Sequence, residues 1–360
     1  MSKDSSDLFG ALFEAAPAKP VMSRTVPVLV PMPAPRAYSY AVPEGMAVEP
    51  GSVVQVPLGP RQVIGVVWDD GGVDPKKLRP ISHVFDCPPL GKHMRDIVNW
   101  VATYTLSPPG LVARMALRAP AAFDPEPMVE GLRFIGGQPE RLTPARTKVM
   151  EIAADGLSWT RIGLAHAAGV STSVVDGLIS QGIFETIFLP PPPVVARPDP
   201  EFTASRLQGP QKDAADEILA DVRKGEFAVS LIDGVTGSGK TEVYFEAIAE
   251  TLRRGKQVLI LLPEIALTAS FLERFQDRFG AKPAEWHSDL APKMREKVWR
   301  QAVTGEVRVV AGARSALFLP FEDLGLIIVD EEHDPAYKQE DRVYYNARDM
   351  AVVRARIGDF

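Results

Sequence analysis

The chain has very little cysteine, since Cys87 is the one thiol in 360 residues. A single thiol excludes an internal disulfide and a zinc site built from several thiolates, and it favours the cytoplasm. Long hydrophobic runs are also missing, because no uninterrupted apolar stretch of about eighteen residues occurs. The sequence therefore predicts no transmembrane helix and no membrane partner.

An excess of positive charge is missing as well. Lysine and arginine number 40 against 46 aspartates and glutamates, which leaves a net charge of −6 at pH 7. A broad basic field for nucleic acid is excluded, so any nucleic-acid binding must come from local patches. Hydrophobic residues make up 46% and charged residues 24%, which excludes wholesale disorder. The length predicts two or three domains.

The N-terminal third has the pattern of a β domain. Residues 1–22 are predicted to form a flexible tail, whose short apolar patch either frays or docks on a partner. Residues 23–118 are predicted to form a barrel or compact sandwich with a helix at His93–Thr105, and residues 119–140 a linker. The β prediction rests on runs of β-branched and aromatic residues that glycine and proline separate: TVPVLVP, AYSYAV, SVVQVPL and QVIGVVWD.

A second unit is predicted for residues 141–189. Its pattern is helix, helix, a tight turn at Gly169–Ser171, helix and a β-like end, and Ser171 is placed to cap the last helix. This order is typical of a winged helix that binds DNA. Compact three-helix units of this kind also serve as protein-docking modules, and the pattern leaves both interpretations open. Residues 190–202 are rich in proline and predict a stiff linker.

Residues 203–360 alternate between buried strands and amphipathic helices, which predicts a doubly wound α/β domain with its ligand at the carboxyl ends of the strands. The predicted strands are near-continuous apolar runs at 228–234, 257–263, 307–313 and 324–331. The predicted helices lie at 211–224, 241–254, 266–279 and 292–303.

The first chemical motif of this domain is a complete phosphate-binding loop. Residues 234–241, GVTGSGKT, match the pattern G-x-x-x-x-G-K-[ST]. They follow a predicted strand and precede a predicted helix, which is the context that the motif requires. Backbone N–H groups of such a loop surround the phosphates, Lys240 reaches the β- and γ-phosphates, and Thr241 ligates Mg²⁺. The predicted ATP-binding residues are Gly234, Val235, Thr236, Gly237, Ser238, Gly239, Lys240 and Thr241.

The second motif follows the apolar run that ends at Val329. Asp330 is placed to hold Mg²⁺, and Glu331 is placed to orient or deprotonate the attacking water. Asp330, Glu331 and Lys240 are therefore the predicted catalytic residues. Asp-Glu-x-His after a phosphate-binding loop indicates an ATPase of the nucleic-acid-dependent helicase type. The alternative interpretation is a solvated acidic loop.

Several longer sequence strings resemble those of a known protein family. GVTGSGKTEVY, LPEIALT, WHSDL, GARSALFLPF, DEEHDPAYKQ and YYNARDMAVVRA resemble the PriA family of primosomal replication-restart helicases. The resemblance implies an N-terminal β domain that binds a DNA 3′ end, a winged helix and the first RecA-like helicase lobe. It also implies ATP-dependent 3′-to-5′ unwinding, ATP and Mg²⁺ as cofactors, and a place in the cytoplasm at the nucleoid. The implied partners are forked or single-stranded DNA, primosome proteins and single-strand-binding proteins.

The resemblance also implies roles for single residues. Tyr38, Ser39, Gly59 and Arg79 would bind the leading-strand 3′ end, with Ser39 standing where better-known members carry an acid. Gln211 would read adenine, and His333 would couple DNA contact to the ATP site. The expected contacts with single-stranded DNA are Thr268, Arg314, Ser315, Tyr337, Lys338, Tyr344 and Arg348. The aromatics among them either stack on bases or belong to the local core.

In the resembling family a second RecA-like lobe, its arginine finger and a cysteine-rich zinc module lie beyond the position of Phe360. The chain is therefore expected to be the N-terminal half of a helicase, with zinc only in the other half. Two further hypotheses are a non-enzymatic fork-binding module whose nucleotide site scarcely turns over, and a P-loop transcription regulator. The strings DEEHD and GARSALF argue against the regulator, which has no need of loops that follow a DNA strand.

Overall fold

The structure, a computed structural model, describes residues 22–69, 78–204, 206–235, 237–263 and 268–360. Its fold consists of two compact units. One contains the described residues up to Phe123 together with Val195–Phe360, and the other is Asp124–Val194. The tail predicted for residues 1–22 lies almost entirely outside the described residues.

The first unit begins with five antiparallel strands in the order β2-β1-β4-β3-β5. The stretch from Arg79 to Val84 hydrogen-bonds to Ala41 of β2 on one side and to β3 on the other. Both sheet edges are thereby joined, as the predicted barrel requires. The strands are β1 Met22–Leu29, β2 Tyr38–Pro43, β3 Val53–Leu58, β4 Arg61–Val67 and β5 His83–Val84. The core inside is built mainly of valines.

Two helices complete this part: α1 Lys92–Tyr104 and α2 Pro109–Ala116. The predicted helix at His93–Thr105 is confirmed with its ends one residue earlier. The sequence gives little sign of α2, which is short and contains Gly110. That glycine is required, because a side chain there would overlap the carbonyl oxygens of Val30 and Met32.

A buried tryptophan is one of the residues that hold the β part and the α/β part of this unit together. Trp299 is buried and its Nε1 donates a hydrogen bond to the Ala116 carbonyl oxygen at 2.7 Å. Its ring meets the ring of Phe123 edge to face, with centroids 5.0 Å apart. The Arg300 guanidinium also donates to the Ala122 carbonyl oxygen. The end of the β part is thus anchored on the α/β part by specific contacts.

The second unit is three helices beside a sheet of order β7-β6-β8. Thr143 and Thr160 cap α3 and α4 through their hydroxyls, whereas Ser171, at the N-cap of α5, makes no capping hydrogen bond with its side chain. Its elements are β6 Val129–Phe134, α3 Pro144–Ala153, β7 Trp159–Thr160, α4 Arg161–Ala168, α5 Thr172–Ile179 and β8 Phe184–Leu189.

The linker predicted for residues 119–140 is wrong in part, because β6 lies within it. All six residues of β6 pair with β8. Gly131 and Leu132 are the buried residues of β6. So few apolar positions give no readable period, and the partner that orders the strand lies about fifty residues further along the chain.

The α/β part has a parallel sheet of order β10-β11-β9-β12. The predicted strands at 257–263, 307–313 and 324–331 are confirmed in shorter form, and β10 is an addition. The elements are α6 Pro210–Lys224, α7 Lys240–Arg253, β9 Gln257–Leu261, α8 Ala269–Phe279, β10 Ala284–Trp286, α9 Pro292–Val303, β11 Val309–Gly312, β12 Leu324–Val329, β13 Lys338–Gln339, β14 Tyr345–Asn346 and α10 Ala347–Gly358.

The strand predicted at 228–234 is not formed. Val229 is 62% and Leu231 79% exposed, so the apolar run is not covered. A cavity of about 710 Å³ lies between this segment and β12. The apolar composition favours a buried strand, but a strand also needs a backbone partner within hydrogen-bond distance, and this segment has none among the described residues.

No single helix among the described residues is long and apolar enough to cross a membrane. The helices α4 and α5, bent by 119° at their junction, reach the necessary length and composition only when taken together.

Candidate nucleotide and nucleic-acid site

The phosphate-binding loop joins the 228–234 segment to α7. Gly237 and Gly239 have φ of +79° and +85°, the left-handed region that favours glycine. Gly239 also lies so close to Gln211 that a side chain there would overlap the Gln211 amide. The motif glycines thus serve the sharp turn and the close approach. Thr236 lies outside the described residues.

Lys240 is the first residue of α7 and points its ammonium back over the loop. Its Nζ donates hydrogen bonds to the Gly234 carbonyl oxygen at 2.6 Å and to that of Val235 at 3.4 Å. A positive charge is thereby held beside the N-terminus of a 14-residue helix. Both features favour a negatively charged group in the loop.

Gln211 lies on the same loop. Its Nε2 donates a hydrogen bond to the Ser238 carbonyl oxygen at 2.8 Å. Gln211 thus contacts the backbone of the phosphate-binding loop, and its place in a nucleotide site stays a prediction. Its reading of adenine stays a prediction.

The second motif meets the first through Tyr244. The Tyr244 hydroxyl donates a hydrogen bond to Asp330 Oδ2 at 3.0 Å, and it also bonds to the side chain of Thr241. Burial raises the pKa of Tyr244, and the neighbouring Asp330 charge raises it further, so the phenol stays protonated. The hydroxyl and the carboxylate that Mg²⁺ would need are thus brought to one place. Sequence reasoning missed Tyr244, although its spacing of three from Thr241 puts both on one face of a helix.

Glu331 adopts an unusual backbone conformation. Its φ is +47°, in the left-handed region, and its N–H donates to Asp330 Oδ1 at 3.0 Å. For a residue with a side chain this conformation costs roughly 1–3 kcal/mol and is frequent at functional sites. Its carboxylate is about half exposed and lies 3.7 Å from His333 Nε2. Glu331 can therefore be reached by water, with His333 beside it.

Tyr337 does not stack on bases, as one interpretation of the sequence expected. The residue is 1% exposed, and its hydroxyl donates to the carbonyl oxygens of Leu261 and Asp330, at 2.9 Å and 2.5 Å. It belongs to the core and ties the carboxyl ends of β9 and β12 together. The assignment of Tyr337 to the DNA contacts is wrong for this reason, and the alternative of a core residue holds. Tyr344 is 64% exposed and remains a predicted contact.

Arg314 links the expected strand-binding region to the acidic motif. Its Nη1 donates to the carbonyl oxygens of Ala336 and Lys338, at 3.0 Å and 2.8 Å. Arg348 pairs with Glu332 at 2.7 Å. A shift of Arg314 would therefore move the backbone of the loop that follows Asp330, because Arg314 is hydrogen-bonded to it.

The remaining predicted strand contacts lie on separate elements. Thr268 caps α8, since its Oγ1 accepts a hydrogen bond from the Phe271 N–H at 3.4 Å. Ser315 follows Arg314 in a short 3₁₀ turn, and Lys338 pairs with Glu340 at 2.7 Å. Residues 264–267 of the string LPEIALT lie outside the described residues.

The predicted 3′-end pocket is assembled in part. Arg79 donates from Nη1 to the Gly59 carbonyl oxygen at 2.6 Å. Tyr40 is buried, and its hydroxyl donates to the Pro57 carbonyl oxygen at 3.1 Å. Burial raises the pKa of Tyr40, the neighbouring Tyr38 raises it further, and the charge of Arg79 lowers it. Ser39 points to the opposite face of β2 from Tyr38 and Tyr40, because successive side chains alternate, and it is 7% exposed. Sequence reasoning missed Tyr40.

Among the described residues, no three histidine, cysteine or acidic side chains converge in a way that could hold a metal ion. The Thr241–Asp330 pair differs from such a cluster, because in a nucleotide site the phosphate oxygens and waters supply the other Mg²⁺ ligands.

Two family models match the chain. One, described as 3′DNA-binding domain (3′BD), matches residues 27–118, and the other, described as DEAD/DEAH box helicase, matches residues 209–357. The first covers the β part with α1 and α2, and the second covers both nucleotide motifs.

Individual relatives extend the match across the chain. A protein named "Replication restart protein PriA" from Chlamydia pneumoniae is 32% identical over 350 residues, which are 89% of this chain and 45% of that protein. The protein of the same name from Haemophilus influenzae is 34% identical over 352 residues, 92% of this chain and 47% of that protein. One from Rickettsia typhi reaches 56% identity over 125 residues, 35% of this chain and 19% of that protein. The chain spans about half the length of the relatives that it matches most fully.

Proposed function

We propose, from the premise that the chain belongs to the PriA family of replication restart proteins, that it is the ATP- and DNA-binding N-terminal portion of an ATP-dependent 3′-to-5′ DNA helicase. The whole protein would act at stalled forks and support primosome assembly. One observation carries this: Thr241 of the phosphate-binding loop meets Asp330 through Tyr244. That arrangement lies in the same compact unit as the region that matches a 3′DNA-binding domain.

The chemistry expected of the site follows from its side chains. Lys240 would neutralise phosphate charge, and Thr241 and Asp330 would hold the Mg²⁺ that polarises the phosphate oxygens. Glu331 would accept a proton from the attacking water, which its exposure allows. Arg314 would connect this region to DNA, because it contacts the backbone of the loop that follows Asp330, and Tyr337 would hold the start of that loop in place.

The DNA-binding parts of the proposal are three. Tyr38, Gly59 and Arg79 would form the 3′-end pocket, with Tyr40 as their support and Ser39 in a smaller role. Asp124–Val194 would be a winged helix, supported by its three helices and its sheet β7-β6-β8. Thr268, Arg314, Ser315, Lys338, Tyr344 and Arg348 would follow the single strand.

The proposed setting is the cytoplasm at the nucleoid, with primosome proteins and single-strand-binding proteins as partners. Zinc, in this proposal, belongs to the portion of the relatives that the chain does not span.

The test has two arms. Isothermal titration calorimetry of the chain with Mg-ATP should show binding that requires Mg²⁺, and fluorescence anisotropy should show that forked DNA binds better than blunt duplex. Absence of Mg-ATP binding would refute the nucleotide site. Equal affinity for fork and blunt duplex would refute fork recognition.

A second candidate is a fork-binding module that holds nucleotide but scarcely hydrolyses it. The observation that favours it is the unpaired 228–234 segment before the phosphate-binding loop, which leaves Val229 and Leu231 exposed. Steady-state ATP hydrolysis by the whole protein, measured with and without forked DNA, separates the two candidates. Forked DNA should stimulate hydrolysis only if the chain is a portion of a helicase.

A further inference from the structure

Four arginines come together where α2 of the β part meets the α/β part. Trp299 of α9 donates its hydrogen bond to the Ala116 carbonyl oxygen, so the stretch that carries Arg114 and Arg118 lies against α9. Desolvation by the surrounding protein lowers the pKa of Arg118, and the charges of Arg295, Arg114 and Arg314 act in the same direction. The four arginines come from three distant stretches of the chain: α2 and the residues just after it, α9, and the 3₁₀ turn after β11. Because like charges repel, such a group is stable only where something else compensates for the repulsion.

No carboxylate compensates for it among the described residues. Arg295 donates from Nη2 to the carbonyl oxygens of Ser288, Leu290 and His287, at 2.8, 3.2 and 3.4 Å. Arg314 likewise donates from Nη1 to carbonyl oxygens only. Arg114 and Arg118 make no ion pair with any described acid, and both are exposed to solvent. In a chain of net charge −6 this is an unusual local excess of positive charge.

A buried hydroxyl points to the same place. Tyr345 is 5% exposed, and its hydroxyl has no hydrogen-bond partner among the described residues. Burial raises the pKa of Tyr345 to about 12, while the charges of Arg118 and Arg314 act in the opposite direction. The phenol is therefore protonated at neutral pH and remains a donor beside the guanidiniums. A buried donor without an acceptor is costly, and an anionic ligand would supply the acceptor.

We propose that Arg114, Arg118 and Arg295, with Arg314, form a phosphate-binding surface that carries a DNA strand between the β part and the α/β part. Planar guanidiniums suit phosphate oxygens, which accept two parallel hydrogen bonds from one arginine. The position joins two regions that are each proposed to bind DNA, so a strand held by both must cross between them. The inference therefore rests on the proposed DNA-binding function and adds a site to it.

The experiment measures binding of a fluorescein-labelled oligothymidylate to the whole chain by anisotropy, between about 50 and 200 mM salt. The test variant is R114A/R118A. Its affinity should fall about 10-fold at low salt. The slope of log affinity against log salt should become shallower by about 0.7 for each phosphate that the variant no longer binds. R114K/R118K keeps the charges and should retain most of the slope.

The matched control is Arg223→Ala, which also removes a surface guanidinium, but one that Glu250 already pairs with at 3.3 Å. Its slope should equal that of the wild type. Thermal unfolding of each variant distinguishes weaker DNA binding from a failure to fold.

Three outcomes would contradict either the proposed DNA-binding function or the phosphate-binding surface. Failure of the wild-type chain to bind the oligonucleotide would contradict the proposed DNA-binding function itself. Wild-type binding with an unchanged affinity and slope in R114A/R118A would overturn the phosphate surface alone. The third outcome comes from titrating the wild type and R114A/R118A with a polyglutamate peptide. If the variant lost binding to the peptide and kept its binding to DNA, the arginines would serve an acidic protein segment, and the phosphate surface would again be overturned.

Discussion

The hydroxyl of Tyr244 donates a hydrogen bond to Asp330 Oδ2 at 3.0 Å, and this bond joins the helix after the phosphate-binding loop to the end of β12. The two residues lie 86 positions apart. Because Thr241 bonds to the same hydroxyl, Tyr244 is the side chain that holds both proposed Mg²⁺ ligands in register.

Replacing Tyr244 by phenylalanine should therefore weaken the site without unfolding the chain. We expect a loss of about 1 kcal/mol in the free energy of unfolding, the contribution of a typical hydrogen bond, and weaker Mg²⁺-dependent ATP binding. Urea unfolding and calorimetry measure the two effects. Tyr344→Phe is the control, because Tyr344 is 64% exposed. Equal Mg²⁺ dependence in Y244F and the wild type would contradict the role of Tyr244.

Lys240→Ala should lower the affinity for Mg-ATP about 10- to 100-fold. The ammonium lies over the loop, and a hydrogen bond to a charged group contributes about 1.5–3 kcal/mol. Calorimetry with Mg-ATP measures the change, and Lys293→Ala, an exposed lysine on α9, provides the control. If K240A binds Mg-ATP as tightly as the wild type, the loop does not hold the phosphates.

The nucleotide motifs could be predicted from sequence because they depend on neighbours in the chain. Gly237 and Gly239 are needed for a local turn, Lys240 begins the helix that follows, and Asp330 directly follows an apolar strand. Helix ends were predictable for the same reason. Pro292, for example, starts α9, and the predicted helix there matches the observed Pro292–Val303.

The features that could not be predicted depend on distant partners. The run at 228–234 has the composition of a strand. Composition does not reveal whether its backbone lies within hydrogen-bond distance of a neighbouring strand, such as β12 at the edge of the sheet. The strand β6 is ordered by β8, which follows about fifty residues later. The sequence leaves open whether Tyr337 stacks on bases or belongs to the core, and the choice depends on its hydroxyl bonds to carbonyl oxygens at the ends of two strands.

Acid should destabilise the chain through His93. Burial lowers the pKa of His93 to about 4, with the positive charge of Arg354 as a second cause, and its Nε2 has no described partner. The unfolded chain takes up this proton near pH 6.5, whereas the folded chain resists it until about pH 4. Stability should thus fall as pH drops from 6.5 to 4, by at most roughly 3 kcal/mol from this group.

Urea unfolding across this pH range is the measurement. His93→Gln should flatten the pH dependence of the free energy of unfolding, and His83→Gln, at an exposed position on β5, should leave it as in the wild type. An equally steep dependence in H93Q would show that another group causes the acid sensitivity.

The β part should distinguish DNA ends. Arg79 bonds to the Gly59 carbonyl oxygen, and both of these residues and Tyr38, which is 38% exposed, are open to solvent and to a strand end. A recessed 3′ end with a free hydroxyl should bind better than the same end carrying a 3′ phosphate, as measured by anisotropy. Tyr38→Ala should reduce this difference, and Met32→Ala, another exposed apolar residue, should not. Equal binding of both ends by the wild type would remove the role assigned to this pocket.

The last prediction concerns turnover by the 360-residue chain. Phosphoryl transfer is accelerated about 10³- to 10⁵-fold by an arginine that reaches the transferring phosphate. The arginines nearest the acidic motif are already engaged. Arg314 donates to carbonyl oxygens, Arg348 pairs with Glu332 and Asp349, and Arg342 lies 3.7 Å from Asp341. Lys240 and Asp330 therefore act on the phosphates from one side only. We expect this chain to bind ATP, to hydrolyse it slowly with little stimulation by forked DNA, and not to unwind the fork.

Glu331→Gln should remove the residual hydrolysis and leave the affinity for Mg-ATP unchanged, because the amide cannot accept the proton of the attacking water. A phosphate-release assay and a strand-separation assay decide the matter, and unwinding by the 360 residues alone would mean that one of these arginines leaves its present partner to act on the phosphate.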